Sequence, residues 1–231
     1  VLELVSVDAY YGNSRALDNV SLTVGDGEFV AVLGRNGVGK TTLMRTILGL
    51  MDRTTGSIRF NGTEIGRWRT DQRARAGIAY VPQGRGILPR FSVLDNLRFG
   101  LFANTKGRRE IDESVFDLLP DLRPHLSRLG GNLSGGQQQQ LAIARALMVE
   151  PKVMLLDEPT EGIQPNIVEE IEQIITRINR ERGITVILVE QSVAFARRAA
   201  QRFVIMNKGS IVAAGATAEL DDALVHRYMA V

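Results

Sequence analysis

Residues 34–42 read GRNGVGKTT, with Gly34, Gly39, Lys40 and Thr41 in the pattern G-x-x-x-x-G-K-[ST]. Before it lies the apolar run FVAVL, residues 29–33, which reads as a buried strand. After it, residues 43–50 read as a helix, and strand, glycine loop and helix in that order are the context the pattern needs. The glycines let the backbone turn tightly. They bring the N–H groups of Gly34, Arg35, Asn36, Gly37, Val38 and Gly39 toward a polyphosphate with no Cβ atoms in the way. The helix N-terminus adds partial positive charge at the same spot. Lys40 then reaches the outer phosphates, the Thr41 hydroxyl is a ligand to Mg²⁺ bridging them, and Thr42 continues the first helical turn.

The whole chain sets bounds on what surrounds this loop. Its 231 residues suffice for one large α/β domain or two small ones. The 28 basic and 26 acidic residues nearly cancel, so net charge argues for neither a nucleic-acid nor a membrane-surface footprint. The cluster Lys106, Arg108 and Arg109 reads as a solvated loop. With no cysteine, disulfides and thiolate metal sites are excluded, which fits a reducing compartment. No apolar run approaches a bilayer span and the opening residues carry no charged-then-apolar leader, so membrane association is expected to come through a partner.

In chain order, residues 1–24 alternate apolar and polar positions on either side of a turn at Tyr11, Gly12 and Asn13, which predicts antiparallel strands. Tyr11 is a candidate to stack on a purine base, with Tyr10 as its competitor. Asn61-Gly62 marks a hairpin turn within residues 56–65. Residues 78–81 form another apolar strand, beyond which Gln83 stands where α/β sheets place ligand contacts and where its amide oxygen could meet Mg²⁺ or water. From residue 84 to about 150 the character changes to a loop rich in Gly, Pro and Arg and helices over residues 92–101 and 111–119, broken by Pro120 and Pro124. This reads as a helical insertion. It closes with NLSGGQQQQ, residues 132–140, and a helix over residues 141–149. On its own, Ser134 with two glycines reads as a helix cap with a hinge, or as an anion site. VMLL, residues 153–156, is a buried strand ending in Asp157 and Glu158, whose side chains are expected to alternate, one toward Mg²⁺ and one toward a water. Further on come a helix over residues 166–182 and a strand over residues 184–189 ending in Glu190 and Gln191. A short helix, strands over residues 203–206 and 211–213, and a helix over residues 218–229 complete the chain.

The Walker A loop, the strand-end Gln83, LSGGQ at residues 133–137 and VMLLDE at residues 153–158, in that order, resemble the ATP-binding cassette (ABC) ATPases over essentially the whole chain. The resemblance implies an α/β fold, a P-loop NTPase (RecA-like) core with an N-terminal antiparallel β subdomain and an inserted α-helical subdomain. One ABC ATPase domain would span residues 1–231, with the core and β subdomain at about 1–83 and 151–231 and the helical subdomain at about 84–150. It implies ATP and Mg²⁺ as cofactors: Tyr11 on adenine, Lys40 on the β and γ phosphates, Thr41 and Asp157 around Mg²⁺, Gln83 sensing the γ-phosphate and counted with the metal ligands, and Glu158 as the general base. It also implies a head-to-tail dimer in which Ser134, Gly135, Gly136 and Gln137 meet ATP held by the other cassette. Two positions depart from the family pattern. Gln191 stands where a switch histidine is usual, and EGIQ, residues 161–164, replaces a loop that usually carries an aspartate. Gln191 can bond a γ-phosphate oxygen or the attacking water, but it cannot become cationic.

VPQGRGILPRFSVLDNL, DEPTEGIQP and LVEQS resemble, more narrowly, ATPase subunits of branched-chain amino acid uptake systems and their urea or short-chain amide relatives. That resemblance implies a peripheral protein at the cytoplasmic face of the inner membrane. It would pair with a homologous ATPase, or with itself in isolation, beneath permease subunits fed by a solute-binding protein, with no nucleic acid involved. Residues 84–96, with Ile87, Leu88 and Phe91, are the expected permease surface. An export ATPase, or a non-transport cassette acting on nucleic acid or ribosomes, is the alternative. The latter kind typically carries two cassettes or a long coiled-coil insertion, and neither is present here.

Overall fold

The computed structural model describes residues 1–229 of the chain, so the expected domain's last two positions lie outside the described residues. The elements in order are β1 (Leu2–Tyr11), β2 (Ser14–Val24), β3 (Phe29–Leu33), α1 (Lys40–Leu48), β4 (Arg53–Phe60), β5 (Thr63–Glu64), α2 (Thr70–Ala76), β6 (Ile78–Val81) and α3 (Val93–Gly100). There follow α4 (Val115–Leu118), α5 (Gly135–Leu147), β7 (Val153–Asp157), α6 (Pro165–Arg182), β8 (Thr185–Glu190), α7 (Val193–Ala199), β9 (Arg202–Asn207), β10 (Ser210–Ala216) and α8 (Asp222–Met229). The chain divides into two compact units, Val1–Arg73 with Thr185–Val231, and Ala74–Ile184. The second unit takes in β6, β7 and α6 as well as the helical stretch, so it is wider than residues 84–150.

In the first unit, β1 pairs antiparallel with β2 and β4, and β4 with β5 through the left-handed Asn61-Gly62 turn. β3 is buried at every position, as its unbroken apolar run requires, and lies parallel to both β8 and β9. Ala31, Leu33, Phe203 and Ile205 pack with Ala196 and Leu220, and the apolar side of α8 closes over them. In the second unit β6 and β7 pair in parallel, α3 packs on α5, and α5 on α6. Gly100 is required at the α3–α5 crossing, where a Cβ would lie 2.3 Å from the Arg145 carbonyl oxygen. The isoleucine stripe of α6 is buried as its spacing demands.

Several elements differ from the expected ones. α5 begins at Gly135, not near residue 141, because Ser134 and Gln137 form a reciprocal capping box that starts the helix within the glycine pair. The helix expected over residues 111–119 is one turn, Val115–Leu118, because the Asp112 carboxylate takes the Ser114 N–H and competes with helix there. The last helix starts at Asp222, after a 3₁₀ turn over Thr217–Glu219. α2 has no counterpart in the expectation: its only buried residue is Arg73.

Candidate nucleotide site

The loop of residues 34–39 leaves β3 and enters α1 directly. Gly34 (φ 151°), Gly37 (φ 77°) and Gly39 (φ 109°) all hold conformations that favour glycine. Each has a different surrounding. A Cβ at Gly34 would lie 2.7 Å from the Met206 carbonyl oxygen, and one at Gly39 would press on Gly209 and Leu17 at 3.3 Å. At Gly37 nothing lies within 4 Å, so the loop is open on that side. The Val38 carbonyl accepts from the Gly209 N–H (2.8 Å), which pins the loop to the Lys208-Gly209 turn. Lys40 is buried and its Nζ donates to the Gly34 and Arg35 carbonyls (2.9 and 3.0 Å). The ammonium is thereby held against the loop while Arg35, Asn36 and Gly37 stay exposed. Thr41 and Thr42 follow in the first turn of α1, half-buried.

Gln191 belongs to the same unit. It stands directly after β8, its N–H donating to the carboxylate of buried Glu190 (3.0 Å). It lines a cleft of about 480 Å³ together with Gly34, Arg35 and Asn36, opposite Val225 and Met229 of α8. Since β3 and β8 are parallel, the loop and Gln191 leave at the same end of that strand pair. Tyr11 ends β1 and is 41% exposed, with the Arg45 guanidinium of α1 at 5.5 Å from its ring centroid. The neighbouring Tyr10 ring is covered by Arg53 at 3.9 Å, which leaves Tyr11 as the ring with the more open face.

In the second unit, Gln83 lies two residues beyond β6, and Asp157 is the last residue of β7 with Glu158 directly after it, so all three stand at the carboxyl ends of two parallel strands. Asp157 is fully buried and accepts from the Tyr80 hydroxyl (3.2 Å). Glu158 departs from the alternation expected of a strand. Its φ of 45° is left-handed, so a turn, and not the pleat, sets its direction. Gln83 is exposed and its amide donates to the Glu161 carboxylate (2.6 Å), leaving its oxygen as the acceptor end. Ser134 is committed to capping α5, its hydroxyl accepting from Gln137 N–H (3.2 Å) while the Gln137 amide oxygen accepts from Ser134 N–H (3.1 Å). Gly135 is partly exposed, but Gly136 is buried against α6, where a Cβ would come within 2.5 Å of Ile167 Cγ2. Gln164 immediately precedes α6, followed by Pro165 in its first turn.

Each unit on its own carries hard oxygen donors of the kind Mg²⁺ takes: the Thr41 hydroxyl in the first, the Gln83 amide oxygen and the Asp157 carboxylate in the second. Among the described residues no group of three or more His, Cys, Asp or Glu could hold a metal alone. Mg²⁺ takes one or two carboxylates and completes its octahedron with substrate phosphates and water. The open side of the loop at Gly37 and the ammonium fixed beside it provide space and charge for those phosphates.

Sequence reasoning missed three side chains. Tyr80, the one polar residue in the apolar strand IAYV, was a visible but unused signal for a group aimed at Asp157. Arg85 and Arg145, each bonded across the loop after Gln83, carry no sequence signal beyond their charge. Among the described residues no helix is long and apolar enough to cross a membrane.

The profile of the ABC transporter family matches residues 17–161. A high-affinity branched-chain amino acid transport ATP-binding protein, BraG of Pseudomonas aeruginosa, is 41% identical over 92% of this chain and 91% of its own length. A sulfate/thiosulfate import ATP-binding protein, CysA 2 of Shewanella oneidensis, is 36% identical over 96% of this chain, which spans 63% of that relative's length. Among solved structures, a dimeric ATP-binding cassette in a post-hydrolysis state with ADP and Pi superposes with a TM-score of 0.81 at 26% identity, covering 94% of this chain and 99% of that one. An ABC transporter cassette in its ADP conformation gives 0.80 at 26% identity, covering 98% of each. The chain therefore belongs to the ABC transporter family, as an ATP-hydrolysing cassette that uses ATP with Mg²⁺ and is akin to the ATP-binding subunits of import systems.

Proposed function

We propose that this cassette drives uptake of branched-chain amino acids, urea or short-chain amides. In this reading it works at the cytoplasmic face of the inner membrane, head to tail with a second cassette and beneath permease subunits served by a solute-binding protein. The observation that carries the nucleotide chemistry is the loop itself: glycines in left-handed conformation, an open side at Gly37, and the Lys40 ammonium held across the Gly34 and Arg35 carbonyls. The uptake class is supported by the likeness to the Pseudomonas branched-chain amino acid ATP-binding protein. The urea and amide option is supported by the sequence likeness of residues 81–97, 157–165 and 188–192 alone.

Main-chain amides of residues 34–42 take the phosphates, Lys40 adds charge at the β and γ positions, and Tyr11 receives the adenine ring. Thr41, Gln83 and Asp157 are the residues that would hold Mg²⁺, which offsets phosphate charge as it builds. Glu158 takes the proton of the attacking water, and Gln191 orients that water or a γ-phosphate oxygen as a neutral donor. Ser134, Gly135, Gly136 and Gln137 cover the nucleotide of the opposing cassette. Phe91, 53% exposed, with Ile87 and Leu88 beside it, is offered to the permease, and Asn96 steadies that loop through both the N–H and carbonyl of Leu88 (2.9 and 3.0 Å).

The test is uptake by the reconstituted assembly with leucine and with urea as cargo, alongside steady-state ATPase. Lys40→Ala is expected to lose nucleotide affinity. Glu158→Gln is expected to keep it and lose about 10²–10⁴-fold in turnover. Full turnover in both variants would remove the nucleotide reading. Uptake of neither cargo by an assembly that turns over ATP would remove the uptake class alone.

A further inference from the structure

The loop after β6 holds three successive residues at positive φ, Gly84 (76°), Arg85 (72°) and Gly86 (58°). Two of them are glycines, for which this costs little. Arg85 is not, and a side chain kept in that region implies that surrounding contacts over-determine it. Those contacts are specific. The Arg85 N–H donates to the Pro82 carbonyl (3.0 Å), closing the turn that begins beside Gln83. Its Nη1 donates to Gln138 Oε1 (2.9 Å) in the first turns of α5, and its Nη2 reaches the Gly162 carbonyl (3.4 Å) in the loop after Glu158. The guanidinium also lies over Gly135, where a Cβ would stand 3.2 Å from Nη2. Seven residues further along α5, on the same face, Arg145 donates to the Gly86 carbonyl (2.7 Å) and fixes the far end of the turn.

We propose that Arg85 is a positioning residue for ATP hydrolysis: its guanidinium holds the Gln83 loop, the serine-glycine start of α5 and the loop after Glu158 in one arrangement. This rests on the reading of Gln83, Ser134 and Glu158 as site residues given above. The planar fork is what the position needs. Two donors on one rigid group meet an amide oxygen and a main-chain carbonyl on different elements, and a lysine ammonium on a flexible stem does not reproduce that geometry. Gln83 bonds Glu161 and Arg85 bonds Gly162, so displacement of the loop after Glu158 is felt at two points of the Gln83 turn. Through Gln138 it is felt at the start of α5, which carries Ser134. Arg85 itself touches no reacting atom; it acts through these partners.

The experiment compares wild type, Arg85→Lys, Arg85→Ala, Gln138→Leu and the Arg85→Ala/Gln138→Leu double variant. It measures kcat, KM, equilibrium ATP affinity, Tm and, in a Glu158→Gln background, ATP-dependent self-association by light scattering. Arg85→Ala is expected to lower kcat on the order of tenfold, the worth of one charge-assisted hydrogen bond, with ATP affinity held within about threefold. Arg85→Lys is expected to recover only part of that loss, and the double variant to lose no more than Arg85→Ala alone, because both changes break one connection. ATP-driven association is expected to weaken in step with kcat. Unchanged kcat in Arg85→Ala overturns the proposal. So do full rescue by lysine, losses that multiply in the double variant, and a loss of kcat matched by an equal loss of ATP affinity or by collapse of Tm. Wild type that neither turns over ATP nor associates with it removes the underlying functional reading instead, which separates the two failures.

Discussion

Arg73 is the largest charged side chain that this fold buries, 1% exposed, and removing it tests how α1 is held behind the phosphate loop. Its Nη1 donates to the Thr46 and Ile47 carbonyls (3.0 and 2.7 Å), Nη2 to Gly66 (3.0 Å) and Nε to Trp68 (3.0 Å). Thr46 and Ile47 lie in the last turn of α1, where main-chain carbonyls lack helical partners and carry the negative end of the helix dipole. Burial pushes the guanidinium's pKa down and the charge of Glu64 offsets part of this, so the group stays cationic at neutral pH. Gly49, which caps α1 at φ 73°, leaves the space that Arg73 fills: a Cβ there would lie 2.9 Å from Arg73 Cζ. Two buried charge-assisted bonds at about 1.5–3 kcal/mol each set the scale of the loss in Arg73→Ala. Thr46 keeps a bond from the Gly49 N–H (3.1 Å), and relief of a desolvated charge offsets more. The net cost is expected to be about 3 kcal/mol, the low end of that sum. For a chain of this size that lowers Tm by about 6–12 °C. Arg73→Met, which restores the stem's volume without the charge, is expected to cost less, and neither variant is expected to change ATP affinity beyond about threefold, since the loop itself is untouched. Thermal and urea unfolding with and without nucleotide give the numbers. A Tm shift below about 3 °C in Arg73→Ala would mean the guanidinium is not what satisfies the end of α1.

Glu158 holds a left-handed backbone that costs a residue with a Cβ about 1–2 kcal/mol. Glu158→Gly is therefore expected to raise Tm by a few degrees while abolishing ATPase activity, and a lower Tm would contradict the strain. Gly136→Ala drives a methyl to 2.5 Å from Ile167 Cγ2 and is expected to destabilise by about 1–3 kcal/mol. In an Ile167→Ala background the same change should cost far less, and equal costs in both backgrounds would refute the packing argument. Burial alone would raise the pKa of Glu150, but hydrogen bonds from Lys106 and Asn104 and the charges of Lys106 and Arg108 outweigh it and hold the carboxyl below its ordinary value. A depressed pKa contributes stability that is present above the unfolded value of about 4.3 and lost as pH falls through the folded one. Wild type is thus expected to lose stability on acidification through that window more steeply than Glu150→Gln. Parallel slopes in urea titrations would refute it.

The parts of this fold that were legible in sequence are those whose cause is local. GRNGVGKTT and the Asn61-Gly62 turn announce themselves through glycine, because left-handed backbone selects it. The runs FVAVL, VMLL and TVILVE announce buried parallel strands because both faces are covered. What stayed hidden has a non-local cause. α2 carries no apolar stripe, since its one buried group is a guanidinium satisfied by carbonyls more than twenty residues away at Thr46 and Ile47. The first six residues of α5, GGQQQQ, look like a polar linker, yet they are helical because Ser134 and Gln137 cap each other and Gln139 and Gln140 are buried. Departure of Glu158 from strand geometry is equally unreadable, since a glutamate at φ 45° contradicts its own preference.

That contradiction follows a rule visible at both strand pairs. Parallel strands buried on both faces present few polar groups along their length, Tyr80 being one, so the polar side chains gather at and beyond the last ladder residue. At β3 the change of direction falls on Gly34, where glycine makes it inexpensive. After β6 the left-handed stretch runs from Gly84 through Arg85 to Gly86, and after β7 it falls on Glu158; at Arg85 and Glu158 the proposed roles require the side chain, and the strain is retained. Replacing either by glycine would relax the backbone, and in both cases function, not stability, is expected to fall. At β8 the buried carboxylate of Glu190 takes the N–H groups of Gln191 and Ser192 (3.0 and 3.4 Å), so the turn is held by a side chain without a left-handed residue. Gln191 is thereby free of backbone strain, and its substitution is expected to change chemistry in the cleft beside Gly34 while leaving the unfolding transition where it was.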